Sequence, residues 1–314
     1  MALEIVVLTD DRTGSTARVV PGFGMNCFDF TAIHDNQPVS IVWSEPDFTS
    51  GRCRASGSGI PLLFPFPGRI RGTQLQWNGV TYTLPAGDGL GNAIHGFVLD
   101  RPWHVLEQTT ARVVARFHAS VDAPQLLDSW PADYRITATY EVTGTMLKCG
   151  YVFDNPDDHA LPCGFGTHPY FRLPLGGRSA AECVVRLPVA SSWELENMNA
   201  TGTQRPLERA AEFQQGVRFE EMQFDNVFGD LQFDGETCGC TISDPHSNHT
   251  LRMTFGRPFR ECVVYTPPHR EAICIEPYTS VPDPFRLAQQ GVDAGLQVLQ
   301  PGDSVTANVE ICLD

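Results

Sequence analysis

The sequence has little positive charge and almost no lysine. Its 314 residues include 22 lysines and arginines against 37 aspartates and glutamates, which gives a formal net charge of −15. Lys148 is the one lysine, so chemistry that needs a lysine nucleophile has a single residue available. Binding to nucleic acids or to anionic membranes requires clustered basic residues. We therefore expect neither a nucleic-acid partner nor a membrane partner.

Sequence features of metal centres, signal peptides and membrane spans are also missing. The ten cysteines include no CxxC pair, and the spacing Cys238-Gly-Cys240 is too short for a typical structural zinc site. His246 and His249 occur in "DPHSNHT" without a third ligand at a usual spacing. The start "MALEIVVLTDDRTG" lacks the segments of a signal peptide, and no apolar run is long enough for a membrane helix. We predict a cytoplasmic protein with buried, reduced cysteines and no metal or other cofactor.

Strand signals, by contrast, extend along the whole chain. In "YRITATYEVTGTMLKCGYVF", residues 134–153, apolar and polar residues alternate on both sides of a Thr143-Gly-Thr145 turn, which predicts an antiparallel hairpin. The segments "RVVARFHA", "LRMTFG" and "SVTANVEICL" show the same period of two residues. Helical periodicity is limited to "LERAAEFQQG" and "DPFRLAQQG", each of which ends at a glycine.

This pattern predicts an all-β chain, a large antiparallel β-sandwich with few short helices. The 28 glycines and 24 prolines are spread along the whole length, so no segment stands out as a linker. Residues 1–314 are therefore predicted to form a single domain.

A proline-rich segment, "GIPLLFPFPGRIRG" at residues 59–72, contains two arginines, Arg69 and Arg71. Proline cannot donate to a strand ladder and has a nearly fixed φ, so we expect a stiff connector that leaves a buried sheet edge. Such a connector could position Arg69 for a ligand. It could equally seal the core and leave Arg69 in a surface ion pair.

Glu276 lies in "REAICIEPYT", where Ala272, Cys274 and Glu276 share one face of a predicted strand. Pro277 is expected to end the strand directly after Glu276. The carboxylate would then face the mouth of a cleft, where it could act as a general base. The alternative is a surface salt bridge at a strand end.

Two histidines and an aspartate are further candidates. His168, in "GTHPYFRLP", could exchange a proton near neutral pH, or it could be a satisfied core histidine. His95, in "NAIHGF", has the same two interpretations, and Gly96 beside it would let a ligand approach the backbone closely. Asp225 lies between two phenylalanines in "FDNVF" and either caps a turn or accepts two ligand hydroxyls.

In chain order, these motifs resemble the aldose 1-epimerase family, the galactose mutarotases. The resemblance extends from "GIPLLFPFPGRI" and "WNGVTYTL" through "GTHPYF" and "CIEPYTSVPDPF" to "LQPGDS" near the C-terminus. It implies a large antiparallel β-sandwich, the fold class that the strand pattern predicts independently. It also implies that the chain interconverts the anomers of a free aldose, such as glucose or galactose, without a cofactor.

The resemblance implies roles for five residues. Glu276 is expected to be the catalytic base and His168 the catalytic acid. The chemistry of ring opening leads us to expect such a base and acid on opposite sides of the sugar. The residues expected to bind the sugar are Arg69, His95 and Asp225. Two departures from the family pattern concern the sugar preference: Gly68 precedes the arginine where asparagine is frequent, and His95 lacks the longer glycine-rich insert after it.

Three alternatives stay open. A hexose-6-phosphate 1-epimerase would use the same chemistry but would need a basic cluster for the phosphate, and no compact cluster is visible. A glycosidase would use Glu276 and Asp225 as a carboxylate pair. A sugar-binding protein of the same fold would have no activity, and the presence of both Glu276 and His168 counts against it. The sequence does not indicate the oligomeric state.

Overall fold

The computed structural model describes residues 3–314, which form 27 β-strands, three α-helices and five 3-10 helices. The strands are β1 Val6–Thr9, β2 Thr16–Val20, β3 Asn26–His34, β4 Gln37–Ser40, β5 Leu62–Leu63, β6 Arg69–Ile70, β7 Gln74–Trp77, β8 Val80–Thr83, β9 Ala93–Ile94, β10 His104–Gln108, β11 Arg112–His118, β12 Arg135–Thr143, β13 Met146–Asp154, β14 Leu161–Cys163, β15 Gly166–Thr167, β16 Tyr170–Arg172, β17 Val184–Arg186, β18 Ser191–Glu196, β19 Asn199–Pro206, β20 Val217–Arg218, β21 Asp225–Gly229, β22 Thr237–Ser243, β23 Thr250–Gly256, β24 Glu261–Tyr265, β25 Ala272–Tyr278, β26 Gln297–Leu299 and β27 Ser304–Leu313. The α-helices are α1 Ala119–Asp122, α2 Ala210–Gln215 and α3 Pro284–Gln289. The 3-10 helices are Phe48–Ser50, Ala55–Gly57, Pro124–Asp128, Ala180–Glu182 and Phe219–Glu221.

Two large antiparallel sheets dominate the structure. One has nine strands in the order β10-β11-β12-β13-β27-β23-β22-β17-β20. The other has eight strands, in the order β19-β18-β21-β24-β25-β15-β5, with β16 as a second partner of β25. A four-stranded sheet, β1 to β4, and three two-stranded sheets complete the chain. The predicted all-β, antiparallel sandwich with few short helices is confirmed.

The elements expected from the sequence pattern form where they were predicted. Strands β12 and β13 pair as a hairpin in which Thr143 lies opposite Met146. The other three alternating segments form β11, β23 and β27. The two helical segments form α2 and α3, and Gly216 directly follows α2. In the described part of the chain, no helix is long and apolar enough to cross a membrane.

A single hydrophobic cluster joins the facing sides of the two large sheets. It includes Ile273 and Ile275 of β25 and Val309 and Ile311 of β27. Because successive residues of a strand face opposite sides, the alternate residues of β25 point away from this cluster. Two of them, Glu276 and Tyr278, line a pocket. The cluster includes residues from Val6 to Leu313.

Candidate functional site

The principal pocket of the described residues has a volume of about 320 Å³. This lies at the lower end of the range of small-molecule sites. All five residues singled out from the sequence line it, although they come from five separate parts of the chain. They are Arg69, His95, His168, Asp225 and Glu276.

Strand register explains why His168 and Glu276 meet. Gly166 lies opposite Tyr278, and Tyr170 lies opposite Cys274, so counting inward puts the two residues across from each other. His168 Nε2 is 3.3 Å from Glu276 Oε1. The two side chains are therefore neighbours on one wall of the pocket, whereas the chemistry of ring opening had led us to expect them on opposite sides of the sugar.

Glu276 lies within β25 rather than at its end. The strand continues through Pro277, which lies opposite Cys262 of β24. On its other side, β25 pairs first with β16 and then with β15, and the β25 residues between these two pairings form no regular pairs on that side. Because Pro277 lies in this gap, its missing N–H group is tolerated. Only 1% of Glu276 is exposed, which removes the interpretation of a surface salt bridge. The predicted strand end was wrong.

The carboxylate of Glu276 is desolvated and is held at one oxygen. Burial raises its pKa well above the usual value, whereas a hydrogen bond from the Tyr278 hydroxyl lowers it. The Tyr278 oxygen is 2.7 Å from Glu276 Oε2. Asp225 raises the pKa further by repulsion, and Arg69 opposes this effect.

His168 is fixed through its backbone and its ring. The backbone N–H of His168 donates a hydrogen bond of 3.0 Å to the backbone carbonyl of Pro61, which lies in the proline-rich segment. The His168 ring stacks on Tyr170 with centroids 4.8 Å apart and planes at 8°. Burial lowers the pKa of His168 to about 3, and the charge of Arg54 contributes. The imidazole is therefore neutral unless Glu276 stabilises its cation.

The buried pair of Glu276 and His168 can hold one proton without net charge. Burial penalises an isolated carboxylate and an isolated imidazolium, so both pKa shifts favour the proton on Glu276. Moving the proton to His168 creates an ion pair at a separation of 3.3 Å, which also has zero net charge. The pair can therefore accept a proton at one atom while it donates a proton from the other.

His95 is brought beside Arg69 by a small sheet. Strands β6 and β9 pair with Arg69 opposite Ile94, and His95 follows with a left-handed φ of 64°. Its ring meets His168 edge to face, with centroids 5.7 Å apart. Burial lowers the pKa of His95 well below its usual value, and the nearby His168 and Arg69 add to this effect. The imidazole is consequently a neutral hydrogen-bonding group.

The space beside Gly96 is filled by protein and is not available to a ligand. A Cβ atom there would lie 2.0 Å from the carbonyl oxygen of Phe64. Phe97 N–H donates to this same carbonyl, at 2.8 Å. The prediction that a ligand approaches the backbone at Gly96 was wrong, because the glycine accommodates the proline-rich segment.

The side chain of Arg69 is oriented by Asp88, an acid that was not predicted from the sequence. Its Nε donates to Asp88 Oδ2 at 3.1 Å, and Asp88 is itself surrounded by donors. Burial opposes ionisation, but hydrogen bonds from Asn92, Leu90 and Arg69 lower the pKa of Asp88 to about 2. Within residues 3–314, the terminal nitrogens of Arg69 have no protein hydrogen bond. These nitrogens remain available for a ligand.

Gly68, directly before Arg69, has a left-handed φ of 63°. A Cβ atom at this position would lie 2.8 Å from Cγ of Pro282, which also lines the pocket. The departure from the family pattern at residue 68 is therefore coupled to the shape of the pocket wall.

Asp225 begins β21 and is solvent-exposed at the pocket. It neither caps the preceding turn through its side chain nor forms an ion pair within the described residues. Desolvation still raises the pKa of Asp225, although the charge of Arg69 opposes the shift. Its carboxyl group can accept hydrogen bonds from a ligand.

Other pocket residues were missed at the sequence level. Tyr170 and Tyr278 each follow a predicted catalytic residue by two positions, so the strand period was a usable signal for both. Trp43 and His269 also line the pocket, and their rings stack with centroids 4.2 Å apart. Arg54 lies in an irregular segment, where no periodicity or motif indicates a role.

Two groups in the described chain have donor atoms close enough to hold a metal ion. His168, Cys274 and Glu276 form a buried group in which the donor atoms lie within 4.8 Å of one another. The other is an exposed group of three consecutive residues, 157–159. His246 and His249 have separate partners, since His246 contacts Glu182 and His249 contacts a backbone carbonyl.

The fold is shared with several solved structures. A galactose mutarotase-like protein from Clostridium acetobutylicum has a TM-score of 0.86 and 21% identity, and the match covers 100% of this chain and 99% of that chain. The GalM/aldose epimerase homologue from C. elegans has a TM-score of 0.81 and 18% identity, with 99% of each chain covered. Galactose 1-epimerase from Lactobacillus acidophilus has a TM-score of 0.76 and 16% identity, over 100% of this chain and 99% of that chain.

Sequence comparison extends the likeness. "Uncharacterized protein YphB" of Escherichia coli (strain K12) is 23% identical over 263 residues, which are 81% of this chain and 83% of YphB. A sequence profile described as Aldose 1-epimerase matches residues 24–312. This match confirms the resemblance found in the motifs, and the chain belongs to the aldose 1-epimerase family.

Proposed function

We propose that this protein is an aldose 1-epimerase that interconverts the α and β anomers of a free aldose such as glucose or galactose. The observation that carries the proposal is the contact of Glu276 and His168, 3.3 Å apart, on the wall of a pocket with other hydrogen-bonding side chains. The anomeric hydroxyl oxygen and the ring oxygen of an aldose are bonded to the same carbon. Two adjacent groups can therefore reach both oxygens.

The reaction needs one base and one acid. Glu276, as the carboxylate, takes the proton of the C1 hydroxyl, and the O–H electron pair forms the carbonyl bond. The bond between C1 and the ring oxygen breaks, and the ring oxygen takes a proton from His168. Rotation about the C1–C2 bond presents the other carbonyl face, and reclosure with reversed roles yields the other anomer.

The proton count of the pair stays constant during ring opening. Before the step the shared proton is on His168, and after it the proton is on Glu276. The hydrogen bond from Tyr278 and the charge of Arg69 both stabilise the carboxylate form that starts the reaction. No proton has to come from solvent.

We propose that Arg69, His95 and Asp225 bind the sugar hydroxyls. Arg69 presents free terminal nitrogens as donors, and Asp225 presents a carboxylate as an acceptor. The neutral His95 ring meets the ring of His168 edge to face, next to the catalytic pair. Because Asp88 holds the Arg69 side chain, sugar binding costs little additional ordering of that side chain.

The arrangement of arginines favours a neutral sugar over a sugar phosphate. Arg71 contacts Glu196 at 3.0 Å, and Arg101 contacts Asp100 at 3.6 Å. Arg270 donates to two backbone carbonyls. These arginines do not converge on the pocket, whose lining includes the carboxylates of Glu276, Asp225 and Glu45 beside the cations Arg54 and Arg69.

We also propose a cytoplasmic location. All ten cysteines are free thiols, and most of them are buried, as expected in a reducing compartment.

Polarimetry of fresh α-D-glucose and α-D-galactose tests the proposed function. We expect the purified protein to speed the approach to anomeric equilibrium in proportion to its concentration, and heat-denatured protein to leave the spontaneous rate unchanged. An aryl glycoside should not be hydrolysed, which separates the proposal from a glycosidase. Sugar binding in calorimetry without any acceleration would instead identify a non-catalytic sugar-binding protein.

A further inference from the structure

Beneath the catalytic pair lies a thiol that the proposed reaction does not use. Cys274 precedes Glu276 by two residues on the same face of β25 and is completely buried. The donor atoms of His168, Cys274 and Glu276 lie within 4.8 Å of one another. We propose that these three residues form an inhibitory site for a thiophilic divalent cation such as Zn²⁺. The inhibition rests on the proposed epimerase function, whereas the binding does not.

The donor set selects the class of ion. An imidazole nitrogen, a thiolate sulfur and a carboxylate oxygen are the usual zinc ligands, and three protein ligands leave the fourth tetrahedral position open. Mg²⁺ and Ca²⁺ prefer oxygen ligands and gain nothing from the Cys274 sulfur. The site should therefore discriminate in favour of Zn²⁺ and Co²⁺.

One of the three distances between the ligand atoms already fits a tetrahedral zinc ion, and the two distances to the Cys274 sulfur require a small adjustment. Zinc-to-ligand distances of about 2.0 to 2.3 Å correspond to ligand separations of roughly 3.3 to 3.8 Å. His168 Nε2 and Glu276 Oε1 are already 3.3 Å apart. The Cys274 sulfur lies within 4.8 Å of a donor atom on each of the other two side chains, so an approach of about 1 Å completes the tetrahedral spacing.

Charge balance favours an ion in this buried place. A divalent cation with one thiolate, one carboxylate and one neutral imidazole has zero net charge, so no isolated charge remains in the low-dielectric site. Binding releases two protons to solvent, one from the Cys274 thiol and the one that Glu276 and His168 share. The proton that catalysis requires is then lost.

Occupancy and catalysis exclude each other because they use the same atoms. The proposed reaction needs a free carboxylate oxygen of Glu276 and a proton on His168. A bound ion occupies both groups, and both of them line the pocket in which the sugar binds. Zinc should therefore inhibit the epimerase competitively with the sugar, and the zinc-free protein is the active form.

The binding is tested without any activity measurement. Co²⁺ added to the metal-free protein should produce an absorption band of cobalt–thiolate charge transfer, and Zn²⁺ should displace it. Cys274→Ser should abolish the band. The matched control is Cys312→Ser, which changes a partly buried cysteine of β27 that is not one of the three proposed ligands. This variant should keep the absorption band. A wild-type protein that binds Co²⁺ without a thiolate band, or does not bind it, overturns the proposal even if Cys274→Ser fails to fold.

The inhibition is tested with zinc buffered at defined free concentrations. We expect Zn²⁺ to raise the apparent KM for the aldose, Mg²⁺ to have no effect, and EDTA to restore the full rate of zinc-treated enzyme while leaving metal-free enzyme unchanged. Cys274→Ser should keep the basal rate and weaken zinc inhibition on the order of tenfold or more, since even outer-shell changes cost that much affinity. Equal zinc inhibition of Cys274→Ser and wild type would overturn the proposal. An inactive protein with the cobalt band would refute only the epimerase function.

Discussion

The hydroxyl of Tyr278 donates a hydrogen bond of 2.7 Å to Oε2 of Glu276, and both side chains are fully buried. The other carboxylate oxygen, Oε1, faces His168 at 3.3 Å. The two oxygens thus have different tasks: one is held by the protein, and the other is available for proton transfer. In the proposed mechanism, Tyr278 is a positioning residue that acts through Glu276.

Replacement of Tyr278 by phenylalanine should change the pH profile. Without its hydrogen bond, the pKa of Glu276 rises further, so the shared proton stays longer on Glu276. A hydrogen bond to a charged group contributes about 1.5 to 3 kcal/mol, which corresponds to roughly one to two pH units. We expect the alkaline limb of the kcat profile to move to higher pH and kcat to fall about tenfold or more. The control is Tyr134→Phe, which removes a buried hydroxyl group that has no hydrogen-bond partner among the described residues. Identical alkaline limbs of the kcat profile in the two variants would show that Tyr278 has no part in the mechanism.

Glu276→Gln should abolish most of the activity and leave the fold intact. The amide retains the shape of the side chain but cannot accept the anomeric proton. General base assistance typically contributes about 10² to 10⁴-fold, and we expect a loss of this size in kcat/KM by polarimetry. Circular dichroism checks the fold. A variant that stays within about threefold of wild type, which is far below this range, would show that Glu276 is not the base.

His168→Asn should lower kcat more than it raises KM. Protonation of the ring oxygen matters mainly in the transition state, so the loss falls on the chemical step. Initial rates over a range of sugar concentrations separate the two parameters. An effect on KM alone would make His168 a binding residue.

Free aldoses should be preferred over their 6-phosphates. A phosphate dianion would enter a pocket that already contains the carboxylates of Glu276 and Asp225, on a chain with a net charge of −15. We expect a higher kcat/KM for α-D-glucose than for α-D-glucose 6-phosphate at low and at moderate salt. The opposite order, weakening as salt rises, would identify a phosphate-specific enzyme that uses cations of the pocket lining, such as Arg54.

A second buried acid, Glu261, should affect stability rather than activity. It lies opposite Tyr278 in the strand register, is 4% exposed and accepts a hydrogen bond from Trp193 at 3.0 Å. Burial raises its pKa to about 7 from 4.5, so the folded protein binds the proton more tightly than the unfolded chain. The contribution of Glu261 to the free energy of unfolding should therefore fall as pH rises from about 4.5 to 7, by roughly 3 kcal/mol, and then level off.

Urea unfolding of wild type and Glu261→Gln between pH 4.5 and 8 measures this contribution. The glutamine can still accept the hydrogen bond of Trp193, so the variant should lose less stability than wild type over the interval. Its epimerase rate should match that of wild type, which makes it a counterpart to Glu276→Gln. Parallel stability curves for the two proteins would show that Glu261 does not titrate in this range.

Much of the fold was predictable because strand alternation is a local property. The β12 and β13 hairpin is encoded by a period of two and a glycine turn, and both are visible in twenty consecutive residues. The order of strands in the two large sheets was not predictable, since pairs such as β13 with β27 join distant segments. Only tertiary packing determines which strands become neighbours.

The site residues were named from motifs, but their spatial relationship was not. His168 and Glu276 meet through the register of β15 and β16 with β25, and no local pattern encodes that register. Pro277 was misread as a strand end because its missing N–H is tolerated where a neighbouring strand is interrupted. Asp88 and Arg54 lie in irregular segments without a recognisable pattern. Asp88 contacts Arg69, and Arg54 affects the pKa of His168, but only the folded structure shows these relationships.

Gly68 and Pro282 occupy a shared space in the pocket wall, since a Cβ atom at residue 68 would lie 2.8 Å from the proline ring. In evolutionary terms, we expect the two positions to be epistatic. Asparagine tolerates the left-handed backbone of residue 68, but its side chain fits only if residue 282 is smaller or displaced. A lineage that exchanges one residue has to pass through a strained intermediate or change both. Sugar preference in this branch of the family should therefore shift through paired substitutions, and libraries that vary residue 68 alone would miss the functional combinations.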